Sequence, residues 1–145
     1  MTDRTVLLVG TRKGLFVLES GDRRDWSVRG PYCESWPIYH AMLDPDSGTI
    51  FAAAASEWLG SAIWRSSDLG ESWEHSSEGI GYPEGENGLK LSKVSHVMPA
   101  HGRLLVGAES AGLFESTIVA SIPEHMLWSS SVSVQVGCAG QAACP

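Results

Sequence analysis

The chain has 145 residues, of which 43% are hydrophobic and 19% charged, with 16 Gly and 7 Pro, the composition of one soluble globular domain. Its net charge of -7, with basic residues scattered and grouped no more tightly than Arg12-Lys13 and Arg23-Arg24, excludes a nucleic-acid partner, which needs a clustered basic surface. The leading apolar stretch, Val6 to Val9, is too short for a secretory core of about 7–15 residues or for a bilayer span, so the expected location is cytoplasmic, with no membrane partner.

In chain order the expected strands are 5–9, 14–18, 26–29, 37–43, 49–55, 61–66, 72–76, 93–98, 103–108 and 112–116. No segment shows sustained helical periodicity, and residues 84–90, with Gly85 and Gly88, read as a loop. Repetition organises these strands. Leu7-Leu8-Val9-Gly10-Thr11 precedes Gly14-Leu15-Phe16-Val17, as Leu104-Leu105-Val106-Gly107-Ala108 precedes Gly112-Leu113-Phe114-Glu115. Ile50-Phe51-Ala52-Ala53-Ala54 precedes Ser61-Ala62-Ile63-Trp64 between them. Phe16, Trp64 and Phe114 stand 48 and 50 residues apart, the period of a four-stranded propeller blade. Ile38-Tyr39-His40-Ala41-Met42 and Val94-Ser95-His96-Val97-Met98 precede successive repeats, each followed by a turn: Asp44-Pro45-Asp46-Ser47-Gly48 and Pro99-Ala100-His101-Gly102.

Ser66-Ser67-Asp68-Leu69-Gly70-Glu71-Ser72-Trp73 matches the Asp-box pattern Ser-x-Asp-x-Gly-x-x-Trp at every defined position. The spacing serves a hairpin turn. Asp68 accepts hydrogen bonds from turn amides, Gly70 supplies a positive φ, and Trp73 covers the bend. Ser66, Asp68, Gly70 and Trp73 are thus a turn staple, and Asp68 is not a catalytic carboxylate. The first repeat carries a worn copy, Ser20-Gly21-Asp22-Arg23-Arg24-Asp25-Trp26, one residue short and without the glycine. The third begins at Ser116-Thr117 and then departs, with Ile118, Ala120 and Pro123 at the Asp, Gly and Trp positions.

These repeats and the motif resemble the sialidase-like Asp-box (BNR repeat) β-propeller superfamily. Leu8 to Phe16, Trp64 to Asp68 and Val94 to Val97 are similar to bacterial members labelled exo-α-sialidase or glycosyl-hydrolase-like. The resemblance covers about 6–116 and implies an all-β, partial propeller of two to three four-stranded antiparallel blades, not closed within this chain. Residues 1–117 form the blades, the first partial, the second complete and the third incomplete, and the chain resembles an N-terminal fragment. Naming strands A to D outward from the axis, the order is B-C-D, A-B-C-D, A-B-C. Uncovered blade faces imply marginal stability or self-association through the open ends.

Two functional readings stand. One is a glycan- or protein-binding module with no complete active site; the other is a fragment of a sialidase-like glycoside hydrolase. Family sialidases use three arginines, a Tyr–Glu pair and an Asp acid. Arg12 follows the first B strand, where one such arginine fits, but its Arg-Ile-Pro context is absent and no Tyr–Glu pair is assignable. Glu34, Glu57 and Glu109 are loop carboxylates, candidates for the pair that glycoside hydrolysis needs, but they read as solvated surface acids. His40 and His96 occupy corresponding places on A strands, which line the axial channel. There they can hydrogen-bond a ligand or help hold a metal, or serve as half-buried strand residues satisfied by backbone or water. Trp36, Tyr39, Glu57 and Trp58 form an aromatic rim or pack between blades. No cofactor is expected, and Cys33, Cys138 and Cys144, an odd set without metal-type spacing, read as reduced thiols.

From 118 to 145 the composition changes: Glu124 is the single charged residue. This segment reads either as a frameshifted or otherwise aberrant tail or as a divergent end strand, with Val132, Val134 and Val136 alternating. A third functional expectation, a nonfunctional truncated product, rests on the first of these.

Overall fold

The computed structural model describes residues 4–82, 90–100, 102–109 and 112–117. Residues 84–89 of the expected loop and the segment after 117 lie outside them. Among the described residues there is no helix, and ten strands form three antiparallel sheets. Sheet I contains β1 (Thr5–Thr11), β2 (Gly14–Ser20) and β3 (Ser27–Tyr32). Sheet II contains β4 (Ile38–Leu43), β5 (Ile50–Ser56), β6 (Gly60–Ser66) and β7 (Glu74–Ser76). Sheet III contains β8 (Val94–Ala100), β9 (Arg103–Ala108) and β10 (Gly112–Thr117). Each strand pairs with its neighbour in sequence, because short turns permit only antiparallel return.

Most strand boundaries lie one to three residues from the sequence reading, and two of these shifts are informative. β3 runs on to Tyr32 rather than stopping at 29, and β7 begins at Glu74 rather than 72. The second shift has a plain cause: Ser72 and Trp73 are committed to the preceding turn, so pairing with β6 starts only at Arg65↔Glu74.

The repeat shows in the register. Phe16, Trp64 and Phe114 lie opposite Val9, Ala52 and Val106. β4 and β8 each carry an irregularity at the same place, between Ile38 and His40 and between Val94 and His96. One difference is a two-residue offset. Ser66 follows Trp64 by two positions, whereas Ser20 follows Phe16 by four, so β2 extends further before its turn. Ser20, Ser66 and Ser116 are all buried.

Two apolar clusters hold the sheets against one another. Leu15 and Val17 of sheet I pack with Ile50, Ala52, Ala54 and Ala62 of sheet II, alongside Trp36 and Ile38. Phe51, Ala53 and Ile63, on the other side of sheet II, pack with Val94, Val97, Leu104, Val106 and Phe114 of sheet III. β5 supplies both clusters by alternation, which is why Ile50 to Ala55 reads as an unbroken apolar run and is buried throughout. Burying one such Leu, Ile, Val or Phe side chain contributes about 1.5–3 kcal/mol.

The Ser66–Trp73 turn is stapled as its spacing requires. The Asp68 carboxylate accepts from the Ser66 hydroxyl (2.7 Å), the Ser72 amide (2.9 Å) and the Ser72 hydroxyl (2.5 Å). Ser66 Oγ accepts from the Gly70 amide at 2.8 Å, and Trp73 Nε1 donates to the Gly70 carbonyl at 3.1 Å. Gly70 has φ +97°, and a Cβ there would stand 3.2 Å from the Tyr32 ring. The worn copy keeps the same core: Arg23 N donates to Ser20 Oγ (2.8 Å), and Arg24 and Asp25 amides donate to Asp22 (2.8 and 3.0 Å). Sheet I reaches across to the intact turn. Arg29 of β3 donates to the Leu69 carbonyl at 2.8 Å and pairs with Glu71 at 2.8 Å, while Tyr32 packs on Trp73 with ring centroids 5.6 Å apart.

Candidate ligand site at one end of the sheets

Topology brings the candidate residues to one end of the molecule. β1 ends in the Arg12-Lys13 turn and β5 in the Glu57–Leu59 turn, while β4, antiparallel to β5, begins at that end with Ile38 and Tyr39. A Cβ on Gly10 would lie 2.8 Å from the Ile38 carbonyl oxygen, so the last turn of β1 abuts the start of β4. Only glycine permits that approach. β8 likewise starts there, since Glu109 N, just past β9, donates to the Lys93 carbonyl at 2.8 Å. Arg12, Glu57 and Trp58 sit on hairpin tips, and Trp58 is 91% exposed.

His40 and His96 meet. Their rings stack with centroids 3.8 Å apart and planes 30° from parallel. The Val97 amide donates to His40 Nδ1 at 3.3 Å, which requires a lone pair on that nitrogen and places the neutral ring's proton on Nε2. Burial, and then the neighbouring His96, hold the His40 pKa below its usual value. The stack therefore disfavours two adjacent cations. Tyr39, half exposed, lies under the Lys93 ammonium, which is 4.9 Å from the ring centroid. Lys93 is itself paired with Glu109 at 2.9 Å, and that carboxylate raises its pKa. Among the described residues no set of three His, Cys, Asp or Glu side chains is placed to hold a metal ion.

Not every aromatic residue joins this end. Trp36 is buried, edge-on to Trp64 at 6.1 Å and 6.0 Å from His75, while Trp64 and His75 stack at 4.5 Å. Trp36 therefore belongs to the sheet I–sheet II core, the packing alternative of its sequence reading. Glu34 is exposed, and Glu109 is engaged by Lys93. Lys93 escaped the sequence reading because its partners Tyr39 and Glu109 lie 54 and 16 residues away, with no local motif to link them. Cys33 is buried and unbridged, and burial pushes its thiol up to about 12, which removes it from nucleophilic chemistry. A shallow depression lined by Arg4, Glu19, Ser20, Gly21 and Ser27 lies at the opposite end of β1 and β2. Among the described residues no helix is long and apolar enough to cross a membrane.

No protein-family model matches the chain, and no curated protein matches it.

Proposed function

We infer that the chain is a run of consecutive blades from a sialidase-like Asp-box propeller, acting as a ligand-binding module without a complete active site. The ligand surface is the end that carries Arg12, Tyr39, Glu57 and Trp58 beside the His40–His96 stack. One observation supports this reading above others: six residues from four separate stretches of the sequence fall at one end of three successive strand units. The Trp58 and Tyr39 rings offer apolar faces to sugar C–H groups, and the two imidazoles and Glu57 offer directional hydrogen bonds to hydroxyls. Arg12 supplies a fork for a carboxylate. Such a surface fits an anionic glycan or an acidic peptide. The intracellular location and the absence of nucleic-acid and membrane partners belong to the same reading.

Titration of the chain with N-acetylneuraminic acid and, separately, with lactose, followed by amide and indole NMR, tests it. Perturbation of the Trp58 indole and of the His40 and His96 amides by the acidic sugar is expected, with loss of both effects in Trp58→Ala. No perturbation by either sugar overturns the glycan reading. Release of fluorophore from a 4-methylumbelliferyl sialoside by this chain alone overturns the binding-only reading in favour of a hydrolase.

A further inference from the structure

The two covered interfaces of the molecule are built alike. In each, the rear face of one sheet lies on the front face of the next. Rear faces carry Leu15 and Val17 in sheet I and Phe51, Ala53 and Ile63 in sheet II. Front faces carry Ile50, Ala52 and Ala54 in sheet II and Leu104, Val106 and Phe114 in sheet III. Among the described residues, neither cluster includes the front of sheet I or the rear of sheet III.

The leftover front is apolar. Leu7 and Val9, two apart on β1, stand directly opposite Leu18 and Phe16 on β2, and Val28 of β3 stands opposite Leu18. Strand alternation puts all five on the side away from buried Leu15 and Val17. Leu7 is 48% exposed and Val28 61%. Contiguous exposed apolar surface of this kind marks an interaction site. The leftover rear of sheet III carries Leu105 opposite Met98, which is 46% exposed, and Leu113 opposite Gly107.

We propose that the front of sheet I receives the rear of sheet III from a second copy of this chain, head to tail. The occupant follows from the molecule's own interfaces. Both covered fronts are closed by a rear face, neither by another front, and the uncovered rear among the described sheets is that of sheet III. The contact is heterologous, so copies either close into a ring or continue as a chain of subunits.

Sedimentation velocity on the full 145-residue chain from low to high micromolar concentration tests the proposal, with circular dichroism to verify folding. The wild-type mass should rise with concentration. Val28→Lys blocks the front and Met98→Lys blocks the rear; both positions are exposed, and Leu7→Lys replaces the first variant if it unfolds. Each variant alone should be monomeric. Their equimolar mixture should form a species of two chains and no larger, because one intact rear then meets one intact front. A wild type monomeric throughout, a Met98→Lys protein that still self-associates, or a mixture that stays monomeric overturns the proposal.

Discussion

Asp68 shows how much one carboxylate can organise while remaining at the surface. Its three donors all require the ionised form or favour it, and they hold its pKa at about 2, against an ordinary 3.8, with the Ser72 hydroxyl the largest cause. A folded-state pKa below the unfolded value contributes stability that is complete above the unfolded pKa and disappears as pH falls through the folded one. The melting-temperature gap between wild type and Asp68→Ala should therefore be constant near neutral pH and close between about pH 4 and pH 2. A gap that persists at the acid end would show that the carboxylate's charge is not what matters. Gly70 offers a separate test. At φ +97°, with the Tyr32 ring only 3.2 Å from the place a Cβ would occupy, Gly70→Ala should cost about 2–3 kcal/mol in urea unfolding. Gly48→Ala, at φ +70° with open space around it, should cost about 1 kcal/mol.

At the scale of the element, the His40–His96 stack joins β4 to β8 and makes that junction sensitive to protons. His40 is depressed from 6.5 by burial and by His96, so the folded state prefers the neutral ring. Stability should be full above about pH 6.5 and fall as the medium is acidified through the lowered folded-state value. His40→Gln should flatten the melting temperature against pH between about 5 and 7; an unchanged slope would assign the dependence elsewhere. The legibility of these elements is uneven for a physical reason. The turn staple is readable residue by residue because all its bonds span two to four positions, from Ser66–Asp68 to Ser66–Gly70. The strands and their phasing are readable because alternation and repetition are local too. Arg29 and Tyr32, which brace that same turn from about 40 residues away, leave no pattern of their own. His40 and His96 stand out as corresponding positions, but their ring-to-ring contact depends on how sheets II and III pack, which no spacing encodes. Trp36 has two readings because tryptophan serves equally well in a rim or a core; neighbours Trp64 and His75 decide it.

At the scale of the molecule, the described residues form two apolar clusters with separate memberships. Val17→Ala weakens the first and Val106→Ala the second. Their effects on unfolding free energy should add to within about 0.5 kcal/mol, as for sites without shared partners. Val17→Ala combined with Ile50→Val, inside one cluster, should depart from additivity by more than that. Denaturant titrations of the single and double variants distinguish the two cases.

Among the described residues β5 contributes most to the two clusters together, with β6 adding Ala62 to one and Ile63 to the other, and it has a hydrogen-bonded strand on either edge and a sheet on either side. Its amides are consequently the hardest for solvent to reach, and deuterium should enter them last. A chain whose neighbouring layers share one wall cannot shed a layer without baring that wall. Opening on one side therefore lowers the resistance of the other, and the three sheets should come apart as a single unit rather than peel away in turn.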